Sequence, residues 1–181
     1  MSTTTVLPPT EGRVPRQSYE KHNQAIRDIT IRHLRKYATE DSENVTKRLA
    51  ALANEWDMER TLEMNASIAA SAGLVLGLFV NSKWFALSFI VLGFLFQHAL
   101  QGYCPPMVWF RAYGWRTGGE IEDEAMALRL LHGRVVPPLA QAVKKVDKEQ
   151  LLEDMVRNHH ENGRFLAEGP NIAAQMVQKE E

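Results

Sequence analysis

The chain has 181 residues with 21 Lys and Arg against 22 Asp and Glu, a balance that argues against a nucleic-acid binder working through a basic surface. One Cys and 45% hydrophobic residues also exclude collagen-like, disulfide-scaffold and wholly disordered classes. The charges are unevenly placed: residues 64–110 contain only Lys83, so the mean hydropathy of -0.29 averages two polar arms and one apolar centre.

Residues 1–17 hold Pro8, Pro9 and Pro15 and a Thr run with little to bury, and they read as a disordered tail. Residues 18–63 read as amphipathic helices. From Ser18 to about Ala38, Ile26, Ile29, His33, Leu34 and Tyr37 recur at helical spacing. Thr39-Glu40-Asp41-Ser42 interrupts the pattern, with Ser42 as the expected N-cap of a second helix. Val45, Leu49, Leu52 and Trp56 then form a coiled-coil-like seam, expected to run on into the apolar centre because no Gly or Pro stops it. Glu55, Glu59 and Glu63 follow at four-residue spacing, a repulsive row for which Arg60, Arg111 and Arg116 are the available counter-charges.

Residues 64–103 predict a transmembrane hairpin, with spans over 64–80 and 84–103 joined by Asn81-Ser82-Lys83. Each core run, Met64–Val80 and Trp84–Leu100, is about 25 Å long as a helix, at the short end of what crosses a bilayer. The arms supply too little other apolar surface to wrap two helices that are hydrophobic all round, which disfavours buried helices of a soluble protein. A three-residue turn makes the helices antiparallel and puts both arms on one side. Lys47, Arg48, Arg60, Arg111 and Arg116 flank the outer ends against Lys83 in the turn, so the positive-inside rule places both termini in the cytoplasm. No signal peptide is evident in residues 1–60, and the first span is expected to act as the insertion signal.

Within the first span, Ala66, Ala69, Ala70, Gly73 and Gly77 put small residues on one side, a pattern that lets helix backbones approach closely. Reflection of the hairpin about Ser82 brings Asn65, Gln97, His98 and Gln101 to similar depth near the cytoplasmic face. An interhelix hydrogen-bond clamp is the expected role of these four, with a substrate or ion path as the alternative.

Residues 104–116 read as an interfacial segment, in which Trp109, Phe110, Tyr113 and Trp115 interleave with Arg111 and Arg116 reaching toward phosphates. Trp56, Arg60 and Glu63 occupy the same level ahead of the first span, with Trp56 as an aromatic-belt residue. Residues 117–168 predict cytoplasmic helices. Thr117-Gly118-Gly119-Glu120 has the capping-box form, acidic residues follow it, and Arg129, His132 and the stop at Gly133 mark the far end. Pro137-Pro138 and a lysine-rich segment separate it from a helix over Lys148–His160, and residues 169–181 form a flexible tail.

No phosphate loop, dinucleotide fingerprint, zinc-protease motif, nucleophile elbow or CxxC is present, so no catalytic residue, cofactor or metal site is expected. Adjacent His159 and His160 point in different directions on a helix, which disfavours a metal there. Cys104 is the candidate reactive or ligand-binding thiol. As the last residue of one helix it meets a negative dipole, and as N-cap of the next it faces free amide N–H groups that lower a thiol pKa. A single Cys excludes an intrachain disulfide.

Glu55-Trp56-Asp57-Met58-Glu59-Arg60, the small-residue-rich first span, Gln97-His98-Ala99-Leu100-Gln101-Gly102-Tyr103-Cys104-Pro105-Pro106 and Gly114-Trp115-Arg116-Thr117 together resemble the DUF2892 type of bacterial inner-membrane protein. The resemblance covers roughly residues 45–132, and its Gly-aromatic-Cys-Pro end is the most specific part. It implies a two-helix membrane hairpin and, because such proteins can carry a rhodanese sulfurtransferase domain, a thiol role for Cys104. This chain has no second Cys in its arms, so what the resemblance implies is location and fold rather than a reaction. The expected function is a non-enzymatic inner-membrane anchor or assembly module that binds the lipid bilayer and either a second copy or another membrane protein. A sulfur- or redox-linked accessory protein using Cys104 is the alternative, and an oligomeric small-solute pore is the third reading.

Overall fold

The computed structural model describes residues 12–133 and 147–162, and among them every regular element is helical, as the all-α expectation requires. The chain divides into two compact units, Met1–Gln24 with Trp56–Gly119 and Ala25–Glu55 with Glu120–Glu181. The first eleven residues, the Pro137-Pro138 and lysine-rich stretch, and the expected tail over 169–181 lie outside the described residues.

The first unit is built on the hairpin. Helix α4 (Met58–Phe79) and helix α5 (Phe85–Gln101) are joined by a 3-10 turn over Ser82–Trp84. The Asn81 side chain accepts from the Lys83 N–H at 2.9 Å, and the Trp84 N–H returns to the Asn81 carbonyl at 3.0 Å, which closes the turn. Helix α4 begins at Met58, six residues ahead of the expected span. The seam helix does not run into it: Glu55 is extended, and Asp57 caps α4 by accepting from the Arg60 N–H at 2.7 Å. The Met58 N–H, orphaned at the first turn of α4, donates to the Arg116 carbonyl at 2.8 Å. A side-chain cap and a distant carbonyl thus impose a break for which the sequence carries no Gly or Pro.

Gly73 and Gly77 are where the two helices touch. A Cβ at Gly73 would lie 2.6 Å from Ser88 Oγ, and one at Gly77 would lie 2.6 Å from the Phe85 ring. Ser88 Oγ donates to the Ala70 carbonyl at 2.7 Å, a hydrogen bond between the helices made next to Gly73. Gly73 and Gly77 thus let α4 and α5 approach closely.

Part of the expected disordered tail is ordered. Helix α1 (Arg13–Gln17) buries Val14 with Met58, Leu62, Cys104 and Met107, because one apolar side chain among the prolines suffices to fill that small core. Arg13 Nη1 donates to the Ala99 carbonyl at 2.8 Å, satisfying one of the carbonyls left open at the end of α5. Gly102 ends α5 at φ 73, a conformation glycine adopts without strain. Helix α6 (Pro105–Ala112) follows, with Cys104 in extended conformation as its N-cap and Pro105 at the first position.

The second unit packs helix α2 (Glu20–Ala38) from Ala25 onward, α3 (Ser42–Asn54), α7 (Gly118–Leu131) and α8 (Lys148–Asn162) around one apolar core. Ile31, Leu34, Leu52, Leu128, Leu131 and Met155 are among its buried members. Helix α3 is capped by Asp41 rather than by Ser42, through a 2.7 Å bond from the Asn44 N–H. The carboxylate also places negative charge at the positive end of the helix. Val45, Leu49 and Leu52 of the expected seam face inward, whereas its fourth member, Trp56, lies beyond α3 and is exposed; Gly133 ends α7 at φ 64.

The core of this unit contains a buried charge pair. Glu124 is fully buried, and Arg48 donates to its Oε1 from Nε at 2.9 Å and from Nη2 at 2.7 Å. His33 Nδ1 lies 2.9 Å from Arg48 Nη2, and the guanidinium sits over the Tyr37 ring at 5.8 Å.

Candidate functional site

Asn65, Ala66, Ala69, His98 and Cys104, all singled out in the sequence, come together at the polar end of the hairpin, where α4 and α5 meet α6. A cavity of about 330 Å³ opens there. Leu62, Asn65, Ala66 and Ala69 of α4 line one side, Val91, Phe94, Leu95 and His98 of α5 another, and Cys104, Pro106 and Phe110 the third. The small side chains of Ala66 and Ala69 leave the space, and α6, turned back by Gly102 and stiffened by Pro105, lines its third side.

The expected hydrogen-bond clamp is not made. Asn65 Nδ2 donates to the Thr61 carbonyl within α4 at 2.8 Å, and Gln97 lies 3.5 Å from Gln101 within α5. These contacts run one turn along each helix, and neither crosses to the other. His98 differs from these three: it is only 5% exposed, and neither ring nitrogen has a hydrogen-bond partner among the described residues.

Cys104 takes the N-cap position that free amide groups would make reactive, yet its side chain makes no capping hydrogen bond and is 2% exposed. Burial pushes the thiol above its usual pKa, and the Met107 N–H pulling it down is the smaller influence. Desolvation, an influence beside the two dipole effects anticipated for this residue, thus favours the neutral thiol.

The arginines of the expected interfacial segment are placed differently from the reading. Arg111 is 1% exposed and Arg116 is also buried, so neither reaches outward toward phosphates. Arg111 Nη2 donates to Asn23 Oδ1 at 2.6 Å and Nη1 to the Trp115 carbonyl at 3.2 Å. The carbonyl and amide acceptors gathered there hold the guanidinium inside, where its planar fork can be matched. The exposed aromatic residues of the segment are Trp109 and Tyr113, while Trp115 packs edge-on against Phe110 at 5.7 Å between ring centres.

On the α4 side, Arg60 lies over the exposed Trp56 ring at 4.5 Å, and Glu63 is exposed. Among the described residues no group of three or more His, Cys, Asp or Glu is arranged to hold a metal. His159 is buried with Nδ1 3.6 Å from Asp123, whereas His160 points outward, so the adjacent pair does not converge.

Two helical stretches, within Ser42–Phe79 and over Ser82–Gln101, are long and apolar enough to cross a membrane, and little of either apolar window is buried by the protein itself. Compared with protein families, curated proteins and solved structures, the chain matches none.

Proposed function

We propose that the chain is a non-enzymatic anchor or assembly module whose α4–α5 hairpin spans the bacterial inner membrane with both arms in the cytoplasm. The observation that carries this reading is the outer surface of the hairpin. Ile68, Leu74, Leu78, Phe79, Phe89 and Phe96 are all exposed, Phe79 at 82% and Phe89 at 75%. Contiguous apolar surface of that extent marks a partner or a membrane rather than water.

Two further features favour lipid as the covering medium. Helices satisfy their own backbone groups, as a segment in hydrocarbon must. Exposed aromatics sit at both ends of the hairpin, Trp84 beside the turn and Trp109 and Tyr113 at the other, the arrangement of residues that anchor at headgroup level. Helix α4 is about 33 Å long, sufficient for the hydrocarbon thickness of a bilayer. The basic residues flanking the outer ends, together with the resemblance to DUF2892-type proteins, support cytoplasmic termini.

In this reading the small-residue contact closes the hairpin, and the exposed apolar faces bind lipid, a second copy or another membrane protein. The buried, neutral Cys104 weighs against the sulfur- or redox-linked alternative. A pore would require an oligomer, because two helices alone enclose no polar path.

Topology is tested with single cysteines at Ser82 and Ser42 in a Cys104→Ser background. An impermeant maleimide should label Ser82→Cys in intact cells and Ser42→Cys only after lysis. Labelling of Ser42→Cys from outside would reject the topology. Recovery of the protein in the soluble fraction as a compact dimer would reject the membrane reading itself.

A further inference from the structure

The cavity at the polar end of the hairpin has a composition that calls for its own account. Its walls are almost wholly apolar, and its 330 Å³ lies at the lower end of ligand pockets, which run from about 300 to 1,000 Å³. Into this lining the fold places one imidazole, His98, buried and with both ring nitrogens unpartnered among the described residues. A buried polar group without a partner is destabilising, whereas an apolar side chain of similar size at that position would not be. The histidine therefore works against the stability of the hairpin unless a partner comes from beyond the described residues.

We propose that this cavity binds an apolar small molecule through a carbonyl or hydroxyl oxygen that hydrogen-bonds to His98. A neutral imidazole carries one N–H donor and one acceptor nitrogen, so it can donate to a carbonyl or exchange both roles with a hydroxyl. Leu62, Val91, Leu95 and Phe110 surround the body of such a molecule with hydrocarbon, and Ala69 leaves the space that body fills. Phosphates and sugars are excluded by the same walls, since these offer too few partners for groups stripped of water. Cys104 lines the cavity as a small neutral group and takes no part in a reaction.

An oxygen on an apolar body has two sources in a membrane, the ring of an isoprenoid quinone and the glycerol end of a neutral lipid. The assignment rests on the cavity and on His98, and it does not require the hairpin to cross a bilayer. Its failure is therefore separable from that of the topology, which the maleimide experiment reads.

The test uses the full chain in phosphatidylcholine nanodiscs, labelled with nitrogen-15 at histidine, the His98 signal being assigned by its loss in His98→Leu. Decylubiquinone, dioctanoylglycerol and oxygen-free dodecane are titrated in separate arms, and the midpoint of thermal unfolding is followed in parallel. At least one oxygen-bearing probe should shift the His98 ring nitrogens saturably and raise the midpoint, and which one does so identifies the source. Dodecane should leave the His98 signal in place. His98→Leu should unfold at the same or higher temperature than the parent without probe and lose the probe-induced rise, while Ala69→Leu should fill the cavity and block the shift with His98 still present. No response to either oxygen-bearing probe overturns the proposal, as does a shift by dodecane equal to theirs, a lower midpoint for His98→Leu, or an unchanged shift in Ala69→Leu.

Discussion

Asn23 Oδ1 accepts a hydrogen bond from Arg111 Nη2 at 2.6 Å, and through that bond the N-terminal segment is tied to the foot of the hairpin. The Asn23 amide donates in turn to the Pro15 carbonyl at 2.8 Å, while Arg111 reaches the Trp115 carbonyl on its other side. Both side chains are buried, so the bond works in a medium where a charged donor gains most from an acceptor. Asn23→Leu should destabilise the protein by about 1.5–3 kcal/mol, the range for hydrogen bonds to charged groups. Gln24→Leu, one position along at an exposed site, should stay within about 0.5 kcal/mol. Thermal unfolding of the two variants in detergent checks the contrast, and equal behaviour would remove Asn23 from this role.

Gly73 and Gly93 make a matched pair of probes for the hairpin contact. At Gly73 an added methyl group would collide with Ser88, whereas at Gly93 nothing lies within 4 Å of the added atom. Gly73→Ala should cost about 1–3 kcal/mol through overpacking, and Gly73→Leu should open the hairpin. Gly93→Ala should be neutral, or stabilising by up to about 1 kcal/mol from helix propensity in water, with Leu76→Ile a second mild control. Cross-linking between α4 and α5, read beside thermal aggregation, separates the cases.

The pH behaviour of Cys104 has a definite sign. Burial raises the thiol pKa in the fold above its value in the unfolded chain, so the neutral thiol is the form the fold favours. Its contribution to stability is complete below the unfolded pKa and is lost as pH rises through the folded one. Iodoacetamide should therefore react slowly near neutral pH, with a rate that climbs only above the usual thiol range and more steeply once the protein is unfolded. Cys104→Ser should leave membrane insertion intact. Fast alkylation of the folded protein at pH 7 would contradict the burial argument and reopen the redox reading.

The Arg48–Glu124 pair predicts strong non-additivity. Glu124 has no exposed surface, so Arg48→Met leaves its carboxylate buried without the guanidinium and should cost about 3–5 kcal/mol. Combining Arg48→Met with Glu124→Leu removes both charges and should recover most of that loss. Denaturant unfolding across the double-mutant cycle gives the coupling, and additive losses would show that each side chain is held by other groups.

What the sequence determined by itself was everything that depends on local composition. Seventeen-residue apolar runs separated by Asn81-Ser82-Lys83 specify an antiparallel hairpin because hydrophobicity and turn length are properties of contiguous residues. Gly73 and Gly77 were legible for the same reason, their four-residue spacing being a property of one helix. Tertiary structure decided where the charges go. Arg48 and Glu124 are 76 positions apart and Asn23 and Arg111 are 88 apart, and a buried charge is tolerated only where its partner arrives from elsewhere in the chain. The same dependence moved Arg111 and Arg116 from the expected interface to the interior and ended the seam helix at Asn54, ahead of the α4 start where the Arg116 carbonyl receives the Met58 N–H. His98 was named from its position in the second span, but its significance comes from what surrounds it. Only the meeting of α4, α5 and α6 forms a cavity lined in part by an imidazole that its own helix leaves unsatisfied.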